Sequence, residues 1–271
     1  MNPTPQSTAE NLSHYPELAE HAIGWRHGFA SNALSGKVIL ITGAGDGLGA
    51  ATAKTYASFG ATVILLGKTR EKLEAVNDWI SQNTSTQPVI VPCDLETLNL
   101  ETATNLADSI SNAFGTLDGI VHHASRLGPR APLAHYPNDE WQKVMQINVN
   151  AVFLLNHALF SLLDTSNRAC VIHTSSSVGR EGRAYWGAYA ASKFAIEGMA
   201  QVWAAENEGL NSVRINCINP GATSTQMRAT AFPAENQESI ASPTDIMPAY
   251  LYLMGPDSKG INGQSIDAQV K

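Results

Sequence analysis

Residues 38–53 read VILITGAGDGLGAATA, a short apolar run followed by a glycine-rich turn and a helical pattern. The apolar run predicts a buried strand at Val38–Thr42. Gly43, Gly47 and Gly49 allow a tight turn, a close approach of backbone to a ligand and dense packing of helix on strand. Such a turn before a helix N-terminus is typical of a site for dinucleotide phosphates. Taken alone, the stretch also fits an ordinary glycine-rich turn.

Short apolar runs alternate with helical patterns along the rest of the chain. This alternation predicts an α/β fold: a Rossmann-type, doubly wound parallel sheet of about seven strands with helices on both faces, in a single domain. Ligands bind such sheets at the carboxyl ends of the strands. The further strands are expected at Thr62–Leu66, Val89–Cys93, Gly119–His123, Ala169–Thr174, Val213–Ile218 and Ser265–Ala268, and the helices near Gly47–Phe59, Arg70–Ser81, Leu100–Phe114, Asp139–Leu163 and Gly187–Glu208.

The pattern divides the chain into an N-terminal arm, residues 1–36, and a dinucleotide-binding catalytic domain, residues 37–271. The arm is polar up to Pro16 and weakly amphipathic from Glu17 to Phe29. Two interpretations of the arm stay open. It is partly helical and packs on the domain or on a partner subunit, or it is a loose tail.

Composition excludes some classes of partner. The chain has 271 residues, 15% of them charged, and a formal net charge of −7 with no cluster of Lys and Arg, so neither nucleic acid nor a membrane surface is expected as a partner. We find no signal peptide pattern and expect no membrane-spanning stretch, which predicts a cytoplasmic protein. The cysteines, Cys93, Cys170 and Cys217, are expected to be buried, non-catalytic thiols. No metal site is expected.

Tyr189 and Lys193 stand four residues apart in the helical pattern that follows the fifth strand. Side chains at this spacing share one helix face, so the ammonium can lie near the phenol. A free phenol titrates near pH ~10, and a neighbouring cation is expected to lower the pKa of Tyr189. Residues 175–177 are serines at the end of the preceding strand, where a hydroxyl can donate to a substrate oxygen that gains charge. Taken singly, a surface Tyr/Lys pair and a serine turn are the simpler interpretations.

These motifs occur together with NPG at Asn219–Gly221, and Ser176 precedes Tyr189 by thirteen residues. In this combination the chain resembles the short-chain dehydrogenase/reductase family over residues 37–268. The runs VILLGKTREKLEAV, TSSSVGREGRAYWGAYAASKFA and RINCINPGAT resemble the YciK-type bacterial branch in particular. The resemblance implies an oxidoreductase that moves a hydride between a nicotinamide cofactor and a carbonyl or alcohol carbon.

The resemblance implies catalytic roles for individual residues. Ser176 matches the family's catalytic serine, and Tyr189 matches its proton donor and acceptor. Lys193 matches the partner that holds the nicotinamide ribose and lowers the tyrosine pKa. Asn148 matches the asparagine that supports a proton relay through water to the lysine, although an asparagine in an amphipathic helix is more often a satisfied core residue.

A set of cofactor-binding residues is implied in the same way. Asp94 matches the aspartate that contacts the adenine, and Thr225 matches the threonine near the nicotinamide carboxamide. Both are otherwise ordinary turn or cap residues. The full implied set is Gly43, Gly47, Leu48, Gly49, Lys68, Asp94, Leu95, Ala124, Tyr189, Lys193, Pro220, Gly221, Thr223 and Thr225.

The end of the second strand bears on the form of the cofactor. NAD requires a carboxylate there to accept from the ribose 2′-hydroxyl, whereas a 2′-phosphate requires a cation. Gly67 stands at the acid's position and Lys68 can reach a phosphate, so NADP(H) is expected, with NAD(H) as the alternative. Asp46 in the glycine turn counts against this expectation, because many NADP(H)-binding relatives carry a basic residue in that turn.

The run His122-His123-Ala124-Ser125 departs from the family's NNAG run after the fourth strand. The family's amides tie neighbouring strands together, and its glycine lets the backbone approach the adenosine ribose. A neutral imidazole has one donor and one acceptor and replaces only part of an amide's bonding. Ser125 adds a side chain where close approach is needed. Both histidines are expected to be satisfied core residues rather than catalytic groups or metal ligands.

The expected reaction is hydride transfer between NADP(H) and a small-molecule carbonyl or alcohol substrate, with Tyr189 protonating an oxygen held by Ser176. One alternative is a cofactor-sensing protein without turnover, which the intact catalytic set argues against. A second is an epimerase or dehydratase with bound NAD. Such enzymes resemble longer chains with a larger C-terminal substrate domain, whereas only about fifty residues follow Gly221 here.

The sequence leaves the substrate open. Residues 223–241 are expected to form a substrate flap, with Met227, Arg228, Phe232 and Pro233 in it. Arg180 and Arg183 either meet an acidic substrate or lie in a solvated loop, the second interpretation being favoured. A homodimer or homotetramer is expected, because the helices around Asn148 and Tyr189 carry apolar residues on more than one face. These residues include Val152, Phe153, Leu155, Ile196 and Met199.

Overall fold

The computed structural model describes residues 29–269 except residue 167 and residues 210–212. The predictions about the arm's helical content and packing therefore lie largely outside the described residues. The strands are β1 (Val38–Thr42), β2 (Thr62–Gly67), β3 (Val89–Pro92), β4 (Gly119–His122), β5 (Ala169–Thr174), β6 (Val213–Asn219) and β7 (Ser265–Asp267). They form one seven-stranded sheet in the order β3-β2-β1-β4-β5-β6-β7, with every pair parallel. The predicted doubly wound sheet is confirmed.

Helices connect these strands, and two of them were not predicted. The α-helices are α1 (Gly47–Ser58), α2 (Arg70–Asn83), α3 (Leu100–Phe114), α4 (Asn138–Met145), α5 (Ala151–Asp164), α6 (Gly187–Glu206), α7 (Gln226–Ala231) and α8 (Met247–Met254). A π-helical turn, Gln146–Asn150, joins α4 to α5, so the helix predicted over Asp139–Leu163 changes its hydrogen bonding midway. The short α7 and the uniformly apolar α8 lack the helical periodicity of apolar residues from which the other helices were predicted.

Each face of the sheet has its own apolar core. In β1, Ile39 and Ile41 pack with α1, α2 and α8, whereas Leu40 packs with α3, α5 and α6. Successive strand side chains point to opposite faces, so a strand covered on both faces is apolar throughout. This accounts for the continuous apolar run at Val38–Thr42 and confirms helices on both faces of the sheet.

Residues 138–164 are long and apolar enough to span a membrane by length and composition alone, with a window of mean hydropathy 1.3. The expectation that no stretch meets this criterion was wrong. Leu155, Leu159 and Leu163 of α5 are buried in the core under the sheet. Packing against the sheet accounts for the apolar face of this helix.

The register of the strands determines where the site forms. Thr42 at the end of β1 pairs with Leu66 of β2 and His122 of β4. His122 in turn pairs with His173 of β5. The residues that follow β1, β2, β4, β5 and β6 therefore meet at one edge of the sheet, around the point between β1 and β4 where the strand order reverses. Ligands of such sheets bind at this position.

Candidate active site

The turn after β1 allows its backbone to approach neighbouring groups closely. Gly43 adopts φ +68°, and a Cβ there would lie 2.9 Å from the Ala124 backbone nitrogen. A Cβ on Gly49 would collide with the Gly43 carbonyl oxygen. Asp46 caps α1, because its Oδ1 accepts from the Gly47 backbone N–H at 2.7 Å. The turn thus leaves a side-chain-free cradle at the N-terminus of a helix, which fits the pyrophosphate of a dinucleotide.

The residues predicted to bind the cofactor line two adjoining cavities at this edge of the sheet. The larger has a volume of about 560 Å³ and the smaller about 330 Å³. Asp94 and Leu95 line the smaller one, and Gly43, Lys68 and Ala124 line both. Lining the larger cavity are also Gly47, Leu48, Gly49, Ser176, Tyr189, Lys193, Pro220, Gly221, Thr223 and Thr225.

Tyr189 and Lys193 lie on the first turns of α6, and both are buried. The Lys193 Nζ donates to the Thr174 carbonyl oxygen at 2.8 Å and lies 5.3 Å from the centroid of the Tyr189 ring. Burial lowers the pKa of Lys193 to about 8. Burial also raises the pKa of Tyr189 to about 12, against a smaller lowering by a hydrogen bond with Ser176.

The expectation that Lys193 lowers the pKa of Tyr189 was wrong for this geometry. The ammonium donates to Thr174 at the end of β5, and desolvation of the phenol determines the direction of the shift. Ser176 is the group that favours the phenolate. At neutral pH the Tyr189 phenol is therefore protonated.

Asn148 lies behind the cavities, in the π-helical turn, and is buried. Its Oδ1 accepts from the Arg126 N–H at 2.7 Å, and its Nδ2 donates to the Arg126 carbonyl at 3.0 Å and to Ser192 Oγ at 3.0 Å. Ser192 Oγ donates to the Tyr189 carbonyl at 2.7 Å. Asn148 thus connects the loop after β4 to the helix that carries Tyr189. A π-helical turn is frequent at functional sites.

The two histidines after β4 occupy different environments. His123 makes hydrogen bonds through both ring nitrogens, to Thr52 Oγ1 at 2.7 Å and Thr174 Oγ1 at 2.9 Å. His122 Nε2 bonds Asn156 Oδ1 at 2.9 Å, whereas its Nδ1 has no hydrogen-bond partner among the described residues. The prediction of satisfied histidines therefore holds for His123 and only in part for His122.

Burial keeps this group of histidines neutral. Desolvation lowers the pKa of His122 to about 4 and that of His123 to about 3. His173, stacked on His122 with ring centroids 5.0 Å apart, has a pKa well below its usual value for the same reason. Within the described residues no group of three or more His, Cys, Asp or Glu side chains could hold a metal ion.

The wall next to Tyr189 is aromatic and aliphatic. Trp186 lies 5.9 Å from Tyr189 and 5.8 Å from Phe232, centroid to centroid. Leu127 and Met227 pack against the same cluster. Trp186 was not singled out from the sequence, although its position three residues before Tyr189, at the N-cap of α6, was a usable signal.

The arginines near this wall have partners. Arg228 forms a two-pronged contact with Glu235, at 2.6 and 2.5 Å. Arg130 donates to the Ala231 carbonyl at 2.6 Å and lies over the Trp186 ring at 5.0 Å. Arg180 bonds Asp267 and Ser265 near β7, which argues against a role in holding an acidic substrate.

Another cavity, of about 870 Å³, lies at the opposite, amino-terminal edge of the sheet. It is lined by residues such as Lys37, Ala169 and Val213 at the beginnings of strands. None of the predicted catalytic or cofactor-binding residues lines it. The predicted chemistry is thus confined to the carboxyl edge.

Comparison with known proteins agrees with this geometry. The short chain dehydrogenase family matches residues 37–236. An uncharacterized oxidoreductase of Escherichia coli K12, YciK, is 50% identical over 236 residues, covering 87% of this chain and 93% of the relative. A short chain dehydrogenase from Shigella flexneri 2a, solved in complex with NADP, is 50% identical with a TM-score of 0.87, over 89% of this chain and 100% of that one. One from E. coli CFT073, solved with NADPH, is 49% identical with the same TM-score and coverage.

The chain belongs to the short-chain dehydrogenase family, and its resemblance to the YciK-type branch is confirmed. It is an NAD(P)-dependent oxidoreductase, and the alternative of a cofactor-sensing protein is not supported.

Proposed function

We propose that this chain reversibly transfers a hydride between NADP(H) and an uncharged, apolar aldehyde or ketone. The observation that carries the proposal is the convergence of Ser176, Tyr189 and Lys193 in the cavity that also holds the glycine turn. Relatives about half identical to this chain were solved with NADP and NADPH, which supports the 2′-phosphorylated form here. Lys68, after a strand that ends without a carboxylate, supports it independently.

The catalytic residues divide the work of proton transfer. When bound, the cofactor supplies or accepts the hydride. Ser176 donates a hydrogen bond to the substrate oxygen, and Tyr189 gives the proton to that oxygen. Because burial raises the pKa of Tyr189 to about 12, the phenol carries the proton that reduction consumes, whereas oxidation requires it to lose that proton first.

Lys193 and Asn148 support that step. With a pKa of about 8, Lys193 carries its charge at pH 7. Its ammonium has two N–H groups beyond the one given to the Thr174 carbonyl, and these can hold the ribose hydroxyls. Asn148 bonds the loop after β4 to α6, and its proposed role is to support proton supply to Lys193. Asp94 and Leu95 at the smaller cavity take the adenine end, and Thr225 the carboxamide end.

The substrate class follows from the wall beside Tyr189. Trp186, Met227 and Phe232 offer apolar area, and the arginines that border them are engaged by Glu235 and by the Ala231 carbonyl. Glu235 neutralises Arg228, so a substrate carboxylate beside this wall would lose its hydration without an unpaired Arg228 to receive it. An apolar substrate has no charged group whose hydration would be lost.

We also propose that the chain is cytoplasmic and forms a homodimer or homotetramer through α5 and α6. The apolar surface available for association is smaller than the sequence suggested, because Val152, Leu155 and Ile196 are buried in the chain's own core. The exposed apolar side chains on these helices are Phe153, Phe194 and Val202, exposed by 46%, 44% and 58%. Exposed apolar side chains that form one contiguous patch mark an interaction surface.

Two measurements test the proposed function. Calorimetric titration is expected to show tighter binding of NADPH than of NADH, and Lys68→Ala to narrow the gap by about 1–2 kcal/mol through loss of a charge-assisted contact. Turnover of NADPH is expected to be faster with benzaldehyde than with 4-carboxybenzaldehyde, its charged analogue. Equal affinity for both cofactors contradicts the cofactor assignment, and preference for the charged aldehyde contradicts the substrate class.

A further inference from the structure

An ion pair connects the glycine turn to the helix that follows β2. The Lys72 Nζ donates to Asp46 Oδ2 at 2.5 Å, while the other carboxylate oxygen of Asp46 caps α1. A Cβ on Gly45 would lie 2.9 Å from the Lys72 Cβ, so the turn and the first turn of α2 are in close contact. Lys72 also lowers the pKa of Asp46, which keeps this carboxylate charged.

This pair borders the smaller cavity, where the end of β2 also contributes. Lys68, Thr69 and Lys72 line it together with Asp46. Thr69 precedes α2, and its side chain accepts no capping hydrogen bond from the first N–H groups of that helix, although its carbonyl accepts from the Lys72 N–H at 3.2 Å. Two lysines and a helix N-terminus thus face one cavity, and Asp46 places a negative charge among them.

We propose that Lys72 is a second residue that selects for the 2′-phosphate of the cofactor, and that it acts by neutralising Asp46 as well as by attracting the phosphate. The proposal rests on the proposed function, since it presumes an NADP(H) site. An acidic residue in this turn repels a 2′-phosphate when its charge is unpaired. Both side chains are more than half exposed, so an unpaired Lys72 could extend into solvent. The ion pair with Asp46 keeps the Lys72 ammonium at the cavity.

Dependence on Asp46 makes a prediction that independent attraction does not. If Lys72 attracted the phosphate independently of Asp46, its removal would cost the same affinity whether or not Asp46 were charged. If Asp46 holds Lys72 at the cavity and Lys72 masks the charge of Asp46, removal of Lys72 costs more affinity when the carboxylate is present. The two residues should therefore be coupled, whereas Lys68, which has no contact with Asp46 in the structure, should act additively.

A double-mutant cycle on the full chain tests this, with dissociation constants for NADPH and NADH measured by fluorescence titration at low ionic strength. Lys72→Ala is expected to weaken NADPH binding by about thirtyfold and to leave NADH binding within about twofold. In the Asp46→Asn background the same substitution is expected to cost only about tenfold. Asparagine preserves the helix cap, so the background folds normally.

The comparison variants make the outcomes separable. Lys68→Ala should cost the same factor with and without Asp46→Asn, and Lys259→Ala, at the opposite edge of the sheet, should change neither affinity. If Lys72→Ala lowers NADPH affinity by the same factor in both backgrounds, or in neither, the inference is overturned. The proposed function still stands in that case if the unmutated chain prefers NADPH to NADH. An unmutated chain that does not prefer NADPH overturns both.

Discussion

Acidification should destabilise this fold well above the pH at which carboxylates titrate, because three neutral histidines lie buried between β4, β5 and the helices. His122 and His123 have folded pKa values of about 4 and about 3, and that of His173 is well below its usual value. An unfolded histidine titrates near pH ~6.5. Below that pH the unfolded chain binds protons that the folded chain refuses, so stability falls as the pH falls.

The magnitude follows from the width of that window. At pH 5 each such histidine costs about 2 kcal/mol relative to pH 7, since a pH unit is worth roughly 1.4 kcal/mol per proton. Three of them together cost roughly 4–6 kcal/mol, a large fraction of a typical domain's stability of about 5–15 kcal/mol. Full stability is expected above pH ~6.5, and the loss continues as the pH falls toward 4.

Urea unfolding at pH 7, 6 and 5, followed by circular dichroism at one protein concentration, measures this loss. The variant His122→Asn removes one titrating group and keeps a donor toward Asn156, so its loss between pH 7 and pH 5 should be about 2 kcal/mol smaller. His135→Asn, at an exposed site, is the matched control and should behave like the unmutated chain. Constant stability from pH 7 to pH 5, or an unchanged loss in His122→Asn, would contradict destabilisation by the buried histidines.

Three further substitutions probe the turn, the departure from the family pattern and the apolar surface. Gly49→Ala should lower the free energy of unfolding by roughly 1–3 kcal/mol and weaken NADPH binding, because its Cβ collides with the Gly43 carbonyl. Gly182→Ala, with open space around it, should change neither the urea unfolding nor the fluorescence titration. Equal behaviour of the two variants would count against the cradle. Ser125→Gly should tighten NADPH binding or leave it unchanged, and weaker binding would show that the serine hydroxyl, which has no described hydrogen-bond partner, holds the cofactor. Val202→Glu should reduce the mass seen by light scattering at micromolar concentration, while Leu133→Glu at another exposed apolar site should not; a monomeric unmutated chain would contradict the interface.

The strands were predictable because their signals are local. Val38–Thr42 and Ala169–Thr174 have the same bounds in sequence and structure, since each is an apolar run closed by polar or glycine residues. The helix at Met247–Met254 was not predicted, because MPAYLYLM is buried almost all round and has no helical period to detect. Bonding within a helix also changes with tertiary packing, as at the π-helical turn around Asn148.

The site shows the same division. The positions of Ser176, Tyr189 and Lys193 at the carboxyl edge were predictable from the expected strand ends, the motif spacing and the family resemblance. The direction of the Tyr189 pKa shift did not, because it depends on how completely the phenol is removed from water. The pairing of Lys72 with Asp46 joins residues 26 positions apart and needed the packing of α2 against the glycine turn.

In the proposed reaction, Tyr189 supplies the proton for an NADPH-dependent reduction. The most direct measurement is single-turnover oxidation of bound NADPH by an apolar aldehyde that the unmutated chain reduces, compared with the Tyr189→Phe variant, together with the NADPH affinity of both. Since only the transferable proton is lost, the variant should react more slowly by a factor of about 10²–10⁴ while binding NADPH with nearly the same affinity. A variant that reduces the aldehyde at a substantial fraction of the original rate would contradict the role of Tyr189 as proton donor.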